Sequence, residues 1–201
     1  MPDAFKNYQK LRGNFQENHD YRIIKSYRND RILIFTPHGG GIERGTSELV
    51  RAIAGDNLPY YLFEGLMPTP RENQKMHITS TNFDEPRCLE MVRKYQTTLA
   101  IHGCEGKKPI IYAGGRDIDI LNILIETLKE KGYPIEEGTG RYTGTCQSNI
   151  CNCTATEKGI QMEFSNGMRR LLFDQWKTRK GRKSTTNCFD KLVSDIRYVI
   201  T

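Results

Sequence analysis

A histidine and a glutamate on either side of three consecutive glycines, together with a second histidine later in the chain, could hold a catalytic metal ion. His38 precedes Gly39–Gly41 and Glu43 follows them, so the two candidate ligands are five residues apart. On one α-helix this spacing would place them about 140° apart, but the glycines permit backbone turns that could direct both side chains to one point. His102, at the end of a later apolar run, would be the third ligand. Two histidines and one glutamate leave a coordination position open, which is the pattern of a catalytic zinc site.

Glu163 could provide the general base that zinc-dependent hydrolysis requires. It lies in the apolar run 159–164, where strand alternation would place Gln161 and Glu163 on the face opposite the apolar side chains. A glutamate facing solvent on a half-exposed strand is the simpler interpretation of this pattern. Beside a zinc site, a carboxylate at a strand end is positioned to take a proton from water.

Other interpretations of these segments remain open. Gly39–Gly41 could form a phosphate-binding turn, although the segment lacks the lysine and spacing of a P-loop, and His38 could be an ordinary loop histidine. Cys151 and Cys153 are separated by one residue, which is too few for a zinc knuckle. His77 falls in a predicted strand, where the sequence gives it no partner, and we interpret it as a packed or surface histidine.

Composition indicates a globular protein with an anionic partner. The 201 residues are 37% hydrophobic and 27% charged, which fits one domain over residues 1–201. The net charge of +6 favours an anionic partner but does not identify it. We expect synthesis in the cytoplasm, because the first residues contain no signal-peptide core, and release by cell lysis would allow action outside the cell. We also expect reduced cysteines, a monomer and no membrane partner.

Strands and helices are predicted to alternate along the chain. Apolar and β-branched runs predict strands at 31–36, 59–63, 98–101, 110–113 and 159–164. Helical periodicity predicts helices at 46–54, 85–95, 117–131, 168–177 and 189–200. The segment 138–149 is polar and is predicted to be a loop. This order predicts a single-domain α/β three-layer sandwich with a mixed, largely parallel sheet, in which functional residues gather beyond the carboxyl ends of strands.

Several ordered motifs extend from about Ile32 to about Phe173: the runs 38–49, 62–66, 77–86, 101–103, 113–115 and 158–165. Together these motifs resemble the poly-γ-glutamate hydrolase family of Bacillus phages and their bacterial relatives. The resemblance implies a zinc carboxypeptidase-like fold and one zinc ion held by His38, Glu43 and His102. It also implies Glu163 as the base and poly-γ-glutamate, an anionic polymer, as the substrate.

Three further residues are candidates for substrate binding. Arg141 in the predicted loop 138–149 and Arg170 after the predicted strand 159–164 could bind substrate carboxylates, because a guanidinium group matches a carboxylate in geometry. Asn82 stands where some relatives have a histidine and is the third candidate.

Two other functions are kept as alternatives. One is a zinc amidase or deacylase that acts on small N-acyl amino acids or cell-wall peptides. The other, of a different class, is a basic nucleic-acid-binding protein, favoured by the cationic segment 177–183. Because that segment has no interleaved aromatic residues, we expect no nucleic-acid partner.

Overall fold

Residues 3–201, the part of the chain that the computed structural model describes, form one seven-stranded mixed sheet with helices on both faces. The strands are β1 (Tyr21–Ser26), β2 (Ile32–Gly40), β3 (Tyr60–Gly65), β4 (Thr97–Cys104), β5 (Ile111–Gly115), β6 (Ile135–Glu137) and β7 (Ile160–Ser165). The α-helices are α1 (Tyr8–Arg12), α2 (Thr46–Ala54), α3 (Pro70–Gln74), α4 (Pro86–Val92), α5 (Ile118–Glu130), α6 (Asn166–Leu171) and α7 (Asn187–Ile200). Short 3-10 turns lie at Gly140–Tyr142, Ile150–Asn152 and Gly181–Lys183.

The sheet is largely parallel and has the strand order β1-β3-β2-β4-β7-β5-β6. The pairs β3–β2, β2–β4, β4–β7 and β5–β6 are parallel. The pairs β1–β3 and β7–β5 are antiparallel. The carboxyl ends of β2, β4 and β7 therefore lie side by side at one edge of the sheet.

Two apolar clusters cover the two faces of the sheet and account for the three layers. Helices α2, α5 and α7 pack on one face, where alternate strand residues such as Ile34, Ile101 and Met162 are buried. Helices α1 and α4 pack on the other face against residues such as Phe35 and Phe63. Alternation along each strand sends apolar side chains to both layers, as expected for a parallel sheet covered on both sides. The predicted three-layer α/β sandwich is confirmed.

Strands β2 and β4 extend further than the sequence predicts. β2 continues through Pro37 to Gly40, and its pairing with β3 shifts register between Thr36 and Gly39. This irregularity accommodates a proline, which has no N–H to donate to a neighbouring strand. β4 continues to Cys104. As a result, His38 and His102 lie within the last residues of strands rather than in flexible loops.

Some predicted elements are wrong or were missed. The helix predicted at 168–177 occupies Asn166–Leu171, because Ser165 caps it by accepting a hydrogen bond from Met168 N and the chain turns away at Leu172. The segment around His77 is irregular rather than a strand. β1, which carries Arg22 and Lys25, and the three-residue β6 were not predicted.

Two further sequence expectations concern the cysteines and the membrane. All six cysteines, which lie within the described residues, are free, as expected for reduced thiols. Within residues 3–201, no helix combines enough length with enough apolar character to cross a bilayer.

Candidate metal centre and catalytic site

The predicted ligands and base meet at the carboxyl ends of three neighbouring strands. His38 lies on β2, His102 on β4 and Glu163 on β7. The β4–β7 register pairs His102 directly with Glu163, so both side chains project from the same face of the sheet. His38 and His102 are 1% and 2% exposed, which places both rings inside the protein.

The glycine loop returns the chain so that Glu43 faces His38. Gly40 has φ of 67°, a left-handed conformation that glycine adopts without a steric penalty. Gly41 packs directly against the side chain of Asn73, where a larger residue would not fit. The turn is then closed by the N–H of Glu43, which donates to the carbonyl oxygen of His38 at 2.9 Å. This is the role that the sequence analysis gave to the glycines.

Two ring nitrogens and the two oxygens of one carboxylate lie at separations that suit one zinc ion. His38 Nδ1 is 3.2 Å from His102 Nδ1 and 3.1 Å from Glu43 Oε1. His102 Nδ1 is 3.6 Å from the other oxygen of that carboxylate, Oε2. Tetrahedral zinc with bonds of about 2.0–2.1 Å separates its ligand atoms by about 3.3–3.4 Å. The residues therefore fit the ion that the family resemblance implies.

The surrounding hydrogen bonds direct the ring nitrogens toward this point. His38 Nε2 is 2.8 Å from the carbonyl oxygen of Ile78, so it carries the proton and leaves a lone pair on Nδ1. His102 Nε2 lies 3.4 Å from Ser80 Oγ. The backbone N–H of Gly103 donates to Glu43 Oε2 at 2.8 Å and fixes the carboxylate. Such outer partners orient the ligands in metal sites.

His77 belongs to the same cluster, although the sequence analysis interpreted it as an unpartnered histidine. Its ring stacks on that of His38 with centroids 4.1 Å apart, and its Nε2 is 3.6 Å from Glu43 Oε1. Its Nδ1 is held 2.8 Å from Asp3 Oδ1. His38, Glu43 and His77 thus form a group whose donor atoms lie within 4.8 Å of one another and could bind a metal. The only sequence signal for His77 is its position in the family motif 77–86.

Ring orientation favours His102 over His77 as the partner of His38. An imidazole lone pair lies in the plane of its ring, so two rings can share an ion only where their planes meet near both nitrogens. The rings of His38 and His77 are inclined by only 26°, and their planes meet far beyond the nitrogen atoms. The rings of His38 and His102 are inclined by 59°. By this geometry, His77 is less suited than His102 to bind the same ion as His38.

The ionisation states of His38 and Glu43 suit a metal site. Burial, together with the charge of His77, lowers the pKa of His38 to about 4, so its ring is neutral at pH 7. Burial raises the pKa of Glu43, but contacts with the rings of His38, His102 and His77 outweigh this rise and hold the pKa well below 4.5. Neutral imidazole and ionised carboxylate are the forms that bind zinc.

Glu163 has the ionisation behaviour expected of a general base. Its side chain is half-buried at the cavity wall. Burial raises its pKa to about 7, the charge of His102 opposes this rise, and the charge of Glu43 adds to it. A carboxylate with a pKa near neutral can both accept and return a proton at pH 7.

One cavity of about 570 Å³ contains these groups and some of the predicted substrate residues. Arg141 lines it, with its Nη2 2.6 Å from the hydroxyl oxygen of Tyr142. Arg170 is not part of the cavity lining, but its guanidinium group packs on Trp176, and Trp176 lines the cavity. Asn82 is exposed and lies outside the lining, so the structure does not bring it to the cluster.

The basic segment 177–183 is partly turned inward. The side chain of Arg182 is only 3% exposed, and its Nε lies 2.8 Å from Glu48 Oε1. Arg179 donates to the carbonyl oxygen of Gly65 at 3.1 Å. Guanidinium groups committed to these contacts are not available to neutralise phosphates, which weakens the nucleic-acid alternative.

Comparison with known proteins gives a consistent result. The family model described as Poly-gamma-glutamate hydrolase matches residues 5–195. The SPbeta prophage-derived UPF0714 protein YoqZ of Bacillus subtilis (strain 168) is 38% identical over 92% of this chain, which spans 66% of YoqZ. The UPF0714 protein YmaC of the same organism is 36% identical over 100% of this chain and 85% of its own length.

Two solved structures share the fold over nearly the whole chain. A bacteriophage poly-gamma-glutamate hydrolase superposes with a TM-score of 0.94 and 32% identity, covering 98% of this chain and 96% of that one. The zinc-free structure YNDL-apo superposes with a TM-score of 0.92 and 31% identity, covering 98% and 97%.

Proposed function

The chain belongs to the poly-gamma-glutamate hydrolase family, and we propose that it is a zinc-dependent enzyme that cleaves the γ-amide bonds of poly-γ-glutamate. The observation that carries the proposal is the meeting of one donor set and one base in a single cavity. His38, Glu43 and His102 would hold one zinc ion, and Glu163 stands beside His102 in the sheet register. A zinc-free form of a relative with the same fold supports the identity of the metal.

The protein prepares the metal position through its own contacts. The carbonyl oxygen of Ile78 and the N–H of Gly103 fix His38 and Glu43 before any ion arrives. When bound, zinc supplies a Lewis acid that polarises the substrate carbonyl and lowers the pKa of water to about 7. His77, held by Asp3, keeps a third imidazole beside Glu43 and adds a hydrogen-bond donor to the cavity wall.

Glu163 performs the proton transfers. It takes the proton from the water molecule that attacks the γ-amide carbonyl. It then delivers this proton to the leaving amine nitrogen, so that one carboxylate serves as base and as acid. Its pKa near 7 allows both steps at neutral pH.

Arg141 binds a carboxylate of the polymer. Poly-γ-glutamate carries one free carboxylate per unit, and a guanidinium group is suited to bind it. Arg141 lines the cavity and stacks on Tyr142, with 4.8 Å between the guanidinium carbon and the ring centroid. The substrate is the polymer of bacterial capsules, and depolymerisation of a capsule after cell lysis is the biological role that this activity would serve.

The experiment that tests the function combines a chelator with a variant of the base. Purified protein is incubated with poly-γ-glutamate, and chain length is followed before chelation, after chelation and after zinc is restored. We expect shortening of the polymer that stops on chelation and returns with zinc. Glu163→Gln should lower kcat by about 10²–10⁴-fold while its zinc content stays equal to that of the wild type. Unchanged activity without metal, or near wild-type activity of Glu163→Gln, would refute the proposal.

A further inference from the structure

A second cationic group lies at the cavity, away from Arg141. The side chain of Trp176 lines the cavity, and two guanidinium groups lie over its indole ring. The guanidinium carbon of Arg44 is 6.0 Å from the ring centroid, and that of Arg170 is 5.2 Å from it. Contact with an aromatic ring holds a guanidinium plane in a defined position without neutralising its charge.

Both arginines lack an acidic partner. Within residues 3–201, no carboxylate lies within 4.0 Å of the guanidinium nitrogens of Arg44 or Arg170. Arg169, next in the chain, behaves differently, because its guanidinium donates to the carbonyl oxygens of Phe164, Arg44 and Cys104. Arg169 is therefore occupied by the fold, while the charges of Arg44 and Arg170 remain available for an anion.

The pair lies over the β2–β3 side of the site. Arg182 donates to the carbonyl oxygen of Gly40 at the end of β2, and Arg179 donates to that of Gly65 at the end of β3. The segment that carries Trp176 therefore crosses the carboxyl ends of these two strands. Arg44 follows the β2 loop and reaches the same place.

Arg141 lies on the opposite side of the site. Its neighbour Tyr142 stacks on Tyr112 of β5, with centroids 4.9 Å apart and ring planes inclined by 9°. The β5–β7 register pairs Tyr112 with Glu163. In the order β2-β4-β7-β5, the strands that carry His102 and Glu163 are thus flanked by one cationic group on each side.

We propose that Arg44, Arg170 and Trp176 form a carboxylate-binding subsite on the opposite side of the cleavage point from Arg141. The inference rests on the proposed function and specifies how the polymer is held. Three strand spacings of about 4.8 Å separate β2 from β5, about 14 Å in total. A γ-glutamyl unit has five backbone bonds of about 1.5 Å and extends about 6 Å. A substrate must therefore contain several units to engage both cationic groups, and a very short one engages only one.

Trp176 is the single tryptophan of the chain, so its fluorescence reports on this subsite alone. Poly-γ-glutamate is titrated into the Glu163→Gln variant, whose turnover should be at least about 100-fold slower, and binding is also measured by sedimentation. We expect a change in fluorescence and protection from acrylamide quenching. Adding Arg44→Gln or Arg170→Gln should raise Kd for the polymer about 3- to 10-fold. Arg93→Gln is the matched control, because Arg93 is exposed and outside the cavity lining, and it should leave Kd unchanged.

Kinetics on γ-linked oligomers of increasing length separate a subsite from a structural role. In the active enzyme, Arg44→Gln and Arg170→Gln should raise KM for long oligomers and the polymer with little change in kcat, and should leave KM for the shortest cleaved oligomer unaltered. Arg44→Lys should restore part of the loss, since it keeps the charge but not the planar group.

The outcomes distinguish this inference from the proposed function. A wild-type protein that cleaves no poly-γ-glutamate would contradict the proposed function, and the binding measurements would still decide on the subsite. Kd values within twofold of the Glu163→Gln parent would overturn the subsite. So would binding without any response of Trp176, or a rise in KM that is the same at every oligomer length.

Discussion

Glu43 and Glu64 are two carboxylates near the carboxyl ends of the neighbouring strands β2 and β3, with side chains only 12% and 3% exposed. Their partners differ in kind. Glu64 lies 2.6 Å from Arg22 Nε and 2.9 Å from Arg51 Nη2. Glu43 is surrounded by the rings of His38, His77 and His102 and by one backbone N–H. Both side chains are largely shielded from water, but only Glu64 is next to cations that keep their charge at every physiological pH.

This difference separates a structural carboxylate from a candidate ligand. Two guanidinium groups compensate the charge of Glu64 fully and leave no role for an added ion. A neutral imidazole offers a lone pair instead of a charge, and the nitrogens of His38 and His102 face each other at 3.2 Å. Lone pairs and a carboxylate directed at one point are stabilised by a divalent cation between them. The types of partner, rather than burial itself, therefore distinguish a carboxylate that could bind a metal from one that is compensated by the fold.

Exchanging each carboxylate for its amide gives the largest expected effect and tests the comparison directly. Glu43→Gln should lose zinc and lower kcat/KM by more than about 100-fold, because a ligand is removed. Its metal-free form should unfold with nearly unchanged free energy, since the cost of burying a charge disappears along with its hydrogen bonds. Glu64→Gln should keep zinc and most activity but lower the free energy of unfolding by about 1–3 kcal/mol, because two arginines lose their partner. Zinc content, kinetics and urea unfolding check these outcomes.

The reverse pattern would contradict the comparison. If Glu64→Gln lost zinc while remaining folded, its charge would be needed by the metal site. If Glu43→Gln unfolded as easily as Glu64→Gln in the absence of metal, Glu43 would be a structural residue as well.

The next effect in size concerns the two histidines that compete for the third ligand position. His102→Ala should weaken zinc binding by more than about 100-fold, whereas His77→Ala should weaken it only about 10-fold, as expected for a group outside the ligand set. The reason is the ring geometry, since His77 is nearly parallel to His38. Zinc affinity is measured by competition with a chromophoric chelator. His19→Ala is the control, because the side chain of His19 is 79% exposed. A larger loss for His77→Ala would make His77 the third ligand.

The parts of the site that were predictable from sequence have strong local signals. Runs of β-branched residues predict the strands that lead to His38 and His102. The consecutive glycines predict the turn that brings Glu43 next to His38. Helix α2 was predicted with its observed bounds because apolar residues repeat at helical spacing and Gly55 ends it. These features depend on a few neighbouring residues, so the sequence contains the information.

The features that could not be predicted depend on contacts between distant parts of the chain. His77 is held by Asp3, and no local pattern connects residues 74 positions apart. Trp176 was predicted to lie in a helix, but α6 ends at Leu171. The helix ends because Phe173 pairs with Thr185, a residue further along the chain that no local pattern connects to it. Glu64 lies in a family motif, yet its structural role emerges only when β1 and α2 supply Arg22 and Arg51.

The smallest expected effect is an acid-dependent one at Glu64. Burial raises the pKa of Glu64, but Arg51, Ser47 and Arg22 outweigh it and hold this pKa below its ordinary value of 4.5. A depressed pKa in the folded state contributes stability that is complete above pH 4.5 and declines as pH falls through the folded-state pKa. The difference in free energy of unfolding between wild type and Glu64→Gln should therefore be constant from pH 7 to about pH 5 and shrink at lower pH. Urea unfolding at each pH measures it. The control is Glu126→Gln on α5, because Glu126 is exposed and forms no ion pair within residues 3–201, and it should show no such trend. A difference that stayed constant to pH 3 would mean that the two arginines do not stabilise the ionised form of Glu64, and the contrast with Glu43 would lose its physical basis.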